Sequence, residues 1–308
     1  MEGTVYKSTG SWYYVKDKDG ESWACKIKGS FRIQGVRTTN PVAVGDEVEF
    51  KTVQEGNKEG LIFKLHEREN YIIRKATKLS KESHIIASNI DQAILMASLS
   101  YPKTYTLFID RFLVTAEAYR IPAKIIFNKI DLYDEKTKER MEELINRYND
   151  IGYECFKISA SKGTNLEQME NLLKNKRSVI AGNSGVGKST MINTLVPGLK
   201  LKIKDVSTYH KTGKHATTFA EMIDLPFGGE IIDTPGIRGF GLVDFYKEEI
   251  YHFFPEIFAA SQECKFHNCL HKSEPGCYVR KEVEEGKISR ERYNNYLRVL
   301  LDNEEKYR

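Results

Sequence analysis

Gly182-Asn183-Ser184-Gly185-Val186-Gly187-Lys188-Ser189 fits the pattern G-x-x-x-x-G-K-[ST], and its surroundings supply the context that pattern needs. The apolar run Ser178-Val179-Ile180-Ala181 before it reads as a buried strand. Thr190-Met191-Ile192-Asn193-Thr194-Leu195 after it opens a helix that Pro197 and Gly198 close. Glycines in such a turn let successive backbone N–H groups face a phosphate at a helix N-terminus, where the helix dipole favours an anion. Residues from Gly182 to Thr190 are therefore candidate phosphate ligands. Among them Lys188 reaches the terminal phosphates and the Ser189 hydroxyl is placed for Mg²⁺.

Working outward, Asn128-Lys129-Ile130-Asp131 follows the apolar run Ala123 to Phe127, which puts it at the carboxyl end of a parallel strand, where open α/β sheets bind ligands. A carboxylate such as Asp131 accepts from both the ring N–H and the exocyclic amine of guanine. Adenine presents an unprotonated ring nitrogen there and would leave the acid unpaired, so the preference is for GTP. A helix-starting Asn or Asp would give a similar pattern, and the company of the motif decides. Ser159-Ala160-Ser161 ends the run Cys155 to Ile158 and offers the Ala160 N–H to the guanine carbonyl. Asp233-Thr234-Pro235-Gly236 ends the run Glu230 to Ile232; there Asp233 can hold Mg²⁺ through water and the Gly236 N–H can meet the γ-phosphate. Together these resemble the guanine-nucleotide motifs of P-loop GTPases, with the base-reading pair ahead of the phosphate loop instead of behind it. The domain reads as circularly permuted, which is physically allowed because strand neighbours rather than chain order build the site.

Between the phosphate loop and Asp233 lie Lys200-Leu201-Lys202-Ile203-Lys204 and the polar stretch Thr208 to Thr218. That segment suits a loop ordered by GTP and released after hydrolysis, and Thr217 or Thr218 would supply the second hydroxyl on Mg²⁺. Ile237 stands where many GTPases place a water-orienting glutamine. His215 is the nearest replacement, as its near-neutral pKa suits water positioning; a solvated histidine or one contacting RNA phosphate is the alternative. Weak intrinsic hydrolysis, improved when a partner orders the switch, is expected.

Three of the five cysteines fall near the C-terminus. Cys264, Cys269, His271 and Cys277 make a closed tetrahedral Zn²⁺ set, with His267 as an alternative imidazole. The odd cysteine count, with neither a signal peptide nor a transmembrane run, argues against disulfides and for a reducing, cytoplasmic setting. Cys25 and Cys155 read as packing residues. Beyond Cys277 a charged helical stretch runs from Val279 to Tyr307, with Tyr293, Tyr296, Leu297, Leu300 and Leu301 as its apolar stripe and Arg290, Arg292, Arg298 and Arg308 on a solvated polar side.

Residues 1–68 differ in character. Short alternating runs (Gly3 to Tyr6, Trp12 to Val15, Glu47 to Phe50), separated by turns at Asp19-Gly20 and Val44-Gly45-Asp46, fit a small OB-type barrel. Trp12, Tyr14, Trp23, Lys26, Lys28, Arg32 and Arg37 can supply stacking and phosphate contacts to RNA, although small barrels also spend aromatics on their cores. A net charge of +4 over 308 residues permits local basic patches without coating the chain. Asn89-Ile90-Asp91 lacks the lysine of the guanine motif and reads as a turn before the strand Ala93 to Met96. The fold class is thus multidomain α/β: an OB-type barrel over 1–68, a circularly permuted P-loop GTPase domain over 69–243, and a helical zinc-binding domain over 244–308.

The barrel, the permuted motif order and the Cys-x₄-Cys-x-His-x₅-Cys set resemble, over nearly the whole chain, the ribosome small-subunit-dependent GTPases of the RsgA or YjeQ family. Thr212-Gly213-Lys214-His215, Asp233-Thr234-Pro235-Gly236-Ile237 and Glu274-Pro275-Gly276-Cys277 carry that resemblance. It implies binding to the small ribosomal subunit and its rRNA late in assembly, GTP hydrolysis there, and departure. By the same resemblance His215 is the hydrolytic histidine, and Cys264, Cys269, His271 and Cys277 hold Zn²⁺. The family usually carries threonine where this chain has Ala216, which leaves the Mg²⁺ ligand open between Thr217 and Thr218. A monomer is expected, since the symmetric interfaces of dimerising GTPases are not evident. A GTP-gated RNA-binding switch with negligible turnover shares every binding motif, and a kinase is disfavoured by the guanine-reading pair.

Overall fold

Val5, Tyr13, Val15, Cys25, Val48, Phe50 and Ile62 occupy inward positions of alternating strands and are all buried in one cluster, as a half-buried pleated strand requires. Those strands are β1 (Glu2–Ser8), β2 (Tyr13–Asp17), β3 (Ser22–Ile27), β4 (Glu47–Thr52) and β5 (Glu59–Leu65). Paired in the order β1-β2-β3-β5-β4, with β4 returning to β1, they close a barrel. The computed structural model describes residues 1–28, 41–54, 56–75, 83–196, 220–233 and 245–306. Arg32, Arg37, Pro197, Gly198, the segment Lys200 to Thr218 with His215 and Thr217, Gly236, Ile237 and Arg308 lie outside them.

An antiparallel hairpin of β6 (Tyr71–Lys75) and β7 (Ser83–Ser88) follows the barrel. Alternation then gives way to an α/β pattern. In chain order come β8 (Gln92–Ala97), α1 (Thr106–Ala118), β9 (Ala123–Phe127), a 3₁₀ turn Ile130–Leu132, α2 (Glu135–Asp150), β10 (Glu154–Lys157), α3 (Leu166–Leu173), β11 (Arg177–Ala181), α4 (Lys188–Leu195), β12 (Glu221–Asp224) and β13 (Glu230–Asp233). The spatial order is β10-β9-β8-β11-β13-β12, parallel except for β12 against β13. Every residue of β8 is buried, because helices cover both faces of the sheet. The phosphate-loop strand β11 therefore sits between β8, which precedes it by a long stretch of chain, and β13, which follows it. This is a circularly permuted GTPase fold. Asn89 takes φ 52° just before β8, the left-handed conformation of a turn.

Barrel and GTPase sheet are not separated by a linker. β1 pairs with β12, so among the described residues the two sheets run on as one of eleven strands. Lys7 stands opposite Glu221, and Glu221 opposite Asp233, one rung across three strands. Lys7 also pairs with Glu221 at 3.0 Å, and the Tyr6 hydroxyl donates to Asp224 at 2.7 Å. A second seam forms at Gly45. Its N–H donates to the Val5 carbonyl at 2.8 Å, and its own carbonyl accepts from Asn89 Nδ2 at 3.0 Å. Its φ is +94°, and a Cβ there would lie 2.1 Å from the Ser88 carbonyl oxygen. Gly45→Ala is therefore expected to cost at least ~2 kcal/mol, from the left-handed backbone plus a clash that only main-chain movement relieves. The check is the urea unfolding midpoint compared with Gly56→Ala, which has a similar φ of +89° but open space around it; equal losses would refute the clash argument.

The C-terminal unit comprises a 3₁₀ segment Lys247–Phe253, α5 (Pro255–Ser261), α6 (Tyr278–Glu284) and α7 (Arg290–Lys306). The helical stretch read from Val279 to Tyr307 is made of two helices, parted where Gly286 adopts φ 77°, the usual left-handed stop. Two expectations are corrected here. Leu301 is 45% exposed and outside the core, which Tyr293, Tyr296, Val299 and Leu300 fill. Arg292, expected on a solvated face, is 1% exposed because carboxylates from neighbouring helices meet it inside. Cys25 is fully buried and Cys155 half-buried, and burial pushes both thiols up to about 12, as inert packing residues should be.

Candidate functional site

Two glycines let the phosphate loop approach its neighbours. A Cβ on Gly182 would lie 2.3 Å from the Met96 carbonyl oxygen, and one on Gly187 would lie 2.2 Å from Asn128 Nδ2; both residues have positive φ. The loop thus runs against the end of β8 and against the base-reading segment. Asn128 is 2% exposed and joins three motifs. Its Nδ2 donates to the Val186 carbonyl at 2.8 Å and its Oδ1 accepts the Ala160 N–H at 3.0 Å. The expected guanine-carbonyl donor of Ala160 therefore points to Asn128 here. Asp131 accepts the Ser159 hydroxyl at 2.6 Å. Lys129, in a left-handed conformation, donates to the Tyr101 carbonyl at 2.9 Å. Burial lowers its pKa while the nearby Asp131 works in the opposite direction.

Lys188 opens α4 and its Nζ donates back to the carbonyls of Gly182 and Asn183 (2.9 Å to the latter), folding over the loop that phosphates would occupy. Asn183, Gly185, Ser189 and Thr190 are half-buried and Ser184 is exposed along the loop, while Val186 is buried. The backbone of Asp233 ends β13 beside β11, at the same edge of the sheet as the loop. His215, Thr217, Thr218 and Gly236 fall outside the described residues.

Tyr133 escaped sequence reasoning. It is buried, donates to the Asn128 carbonyl and accepts the Leu99 N–H, both at 2.8 Å, which anchors the Asn128–Asp131 turn on the β8–α1 loop. Its partners are main-chain groups, so no residue pattern announces the role.

The cysteine–histidine set converges. The donor atoms of Cys264, Cys269, His271 and Cys277 all lie within 4.8 Å of one another, and His267 is exposed and outside the group. Cys264 and Cys277 sulfurs are 3.9 Å apart, and His271 Nδ1 is 3.6 and 3.5 Å from them. Burial pushes the Cys269 thiol up to about 12, raises Cys277, and lowers His271. Three sulfurs and an imidazole gathered this closely fit a resident cation, which would draw the protons from the sulfurs. The signature that begins at Glu274 also contains the organiser of the loop, a role its sequence did not announce. Glu274 accepts the N–H groups of Leu270, Lys272 and Ser273 at 2.8 to 3.0 Å. Burial opposes its charge, but these bonds outweigh burial and lower its pKa. From α7, the hydroxyls of Tyr293 and Tyr296 donate to the carbonyls of His271 and Leu270 at 2.6 Å.

With this geometry in view, similarity to known proteins becomes informative. Residues 65–243 match the family model described as RsgA GTPase, and residues 2–62 match the RsgA N-terminal domain. The chain is 55% identical over 309 residues to a small ribosomal subunit biogenesis GTPase RsgA of Bacteroides fragilis, covering all of this chain and 99% of that one. To the protein so named in Christiangramia forsetii it is 54% identical over 310 residues, covering 100% and 98%. The crystal structure of YjeQ from Thermotoga maritima superposes with TM-score 0.80 at 35% identity and 98% coverage of both chains. YloQ, described as a circularly permuted GTPase, gives 0.77 at 30% identity, covering 99% of this chain and 95% of that one. Sharing both domain models, the permuted sheet and more than half its residues with such relatives, the chain belongs to the RsgA GTPase family.

Proposed function

We propose that the protein hydrolyses GTP to GDP and phosphate when docked on the small ribosomal subunit, and that it serves as a late-stage assembly factor that binds rRNA in the cytoplasm as a monomer. The relatives named as small ribosomal subunit biogenesis GTPases support the biological side. The observation that carries the chemistry is Asn128 tying the guanine-reading turn, Ala160 and the phosphate loop into one buried unit. Asp131 reads the guanine edge, and Lys129 covers the base. The Ala160 N–H is shared between Asn128 and the guanine carbonyl, with Ser159 holding Asp131 in place. Gly182 to Thr190 cradle the phosphates, with Lys188 on the transferring group. Mg²⁺ would be held by Ser189 and one of Thr217 and Thr218, and through water by Asp233, with the Gly236 N–H on the γ-phosphate and His215 orienting the attacking water. Bound there, Mg²⁺ would neutralise charge developing on the phosphate oxygens.

Cys264, Cys269, His271 and Cys277 hold structural Zn²⁺. A tetrahedral ion with metal–sulfur near 2.3 Å and metal–nitrogen of 2.0–2.1 Å sets sulfurs roughly 3.8 Å apart and sulfur from nitrogen roughly 3.5 Å, close to the 3.9, 3.6 and 3.5 Å found. We assign the three units to residues 1–68, 69–243 and 244–308. On the barrel, exposed Tyr14, Lys28 and Lys26, whose Nζ lies 4.4 Å over the Trp12 ring, form the RNA face. Trp23 instead packs on Phe50 and donates to Asp17. No helix of the described residues is long and apolar enough to cross a membrane.

Ile237 at the glutamine position favours one other reading, a GTP-gated RNA-binding switch with negligible turnover. Phosphate release at fixed moderate salt, with small subunits and with large subunits as control, separates the two. Strong stimulation by small subunits alone is expected; tight GTP binding without stimulation would favour the switch.

A further inference from the structure

Arg292 lies at the meeting of four helices. Its Nη1 donates to Asp110 Oδ1 of α1 at 2.7 Å, and its Nε and Nη2 donate to the two Glu256 oxygens of α5 at 2.7 and 3.0 Å. Asp110 also accepts the Tyr148 hydroxyl of α2 at 2.9 Å and Asn295 Nδ2 of α7 at 2.6 Å. One residue before Arg292, Glu291 accepts from the Thr106 hydroxyl that opens α1, at 2.8 Å, and from Arg140 and Arg147 of α2. The same α7 grips the metal loop through Tyr293 and Tyr296.

The two gripped GTPase helices are the ones whose N-terminal leads carry the base-reading machinery. The loop before α1 contains Tyr101, whose carbonyl holds Lys129, and Thr104, whose hydroxyl accepts the Ser98 N–H at 3.1 Å. α2 begins at Glu135, directly after the turn that holds Asp131. A fully buried cation cannot leave its carboxylates without a large desolvation penalty. Movement of the metal-bearing unit is therefore passed to α1 and α2 as a body instead of being absorbed at the contact.

We propose that Arg292 and Glu291 are positioning residues for guanine-nucleotide retention: through them the C-terminal helical unit fixes α1 and α2, and with these Lys129 and Asp131. The inference rests on the reading of Asn128 to Asp131 as the guanine site. It predicts control of how long nucleotide stays, with the cleavage step itself untouched.

The experiment is stopped-flow release of a fluorescent GDP analogue from the full-length protein, alongside phosphate release at saturating GTP. Arg292→Met and Glu291→Gln are expected to speed GDP release within the roughly 5- to 150-fold range typical of site-to-site coupling, with turnover at saturating GTP unchanged. Glu291 is 35% exposed, so Glu291→Gln decides alone if Arg292→Met does not fold. Val283→Ala, in the C-terminal core, is the stability control. Release at the wild-type rate in folded variants, or equal acceleration by Val283→Ala, overturns the inference. A wild-type protein that holds guanine no better than adenine nucleotides overturns the guanine-site reading instead.

Discussion

Cys277→Ala is expected to strip the metal from the C-terminal loop and to unfold the helices around it before the rest of the chain. The residue is a buried donor within 4.8 Å of the other three. It is also the residue from which α6 starts, so a loop released from the metal loosens the first turn of that helix too. Structural zinc sites return about 10–16 kcal/mol in isolated fingers. Here a surrounding core of Ile250, Phe254, Ile257, Val279 and Leu300 holds part of the fold independently, and a loss of several kcal/mol is the appropriate scale. On the proposed zinc assignment, metal analysis should fall from one zinc per chain towards none, and thermal unfolding should gain an early transition that excess chelator reproduces in the wild type. An unchanged melting profile after complete metal removal would show that the cluster does not support the helices.

Asn128→Ala is expected to weaken guanine-nucleotide binding by roughly 100- to 1,000-fold. Truncation leaves the Val186 carbonyl and the Ala160 N–H without the partners they have at 2.8 and 3.0 Å. Each buried orphan costs about 1–3 kcal/mol, and every 1.4 kcal/mol is tenfold in affinity. Part of the cost is felt as loosening of the phosphate loop, so affinity for the phosphates falls together with affinity for the base. Calorimetric titration with GDP measures it directly. A drop of less than tenfold would mean that the two loops are held together by the packing of Gly187 and Met96 and that the amide is dispensable.

Much of this was legible in the sequence because the relevant signals are local. The phosphate loop, the strand-end motifs and the cysteine spacing each involve a few consecutive residues whose chemistry is restrictive, and the strands that carry them are continuous apolar runs. The roles of Tyr133 and of Glu274, the latter noted only as part of a signature, were not legible, since both act by binding main-chain groups, which any sequence possesses. Arg292 was misread for a related reason. Helical periodicity places it beside Arg290 and Arg298 on a charged helix, but the groups that make its burial tolerable, Asp110 and Glu256, lie far away in the chain. A buried ion pair is a tertiary fact, and pattern reading along one helix cannot contain it. The break at Gly286 was available, as glycine is a common helix stop, but the residues around it are strong helix formers.

The rung formed by Lys7, Glu221 and Asp233 has a mechanical meaning. Without the barrel, the strand β12 would be the edge of the parallel sheet, available for another chain to extend. Here that berth is taken by the protein's own first strand, tethered at an effective concentration a free competitor does not match. Dimerisation by strand addition on that side is thereby closed. The barrel is also geared to the parallel sheet: a displacement of β1 is handed through the ladder from Lys7 to Glu221 and onward to Asp233, at the end of the strand beside β11.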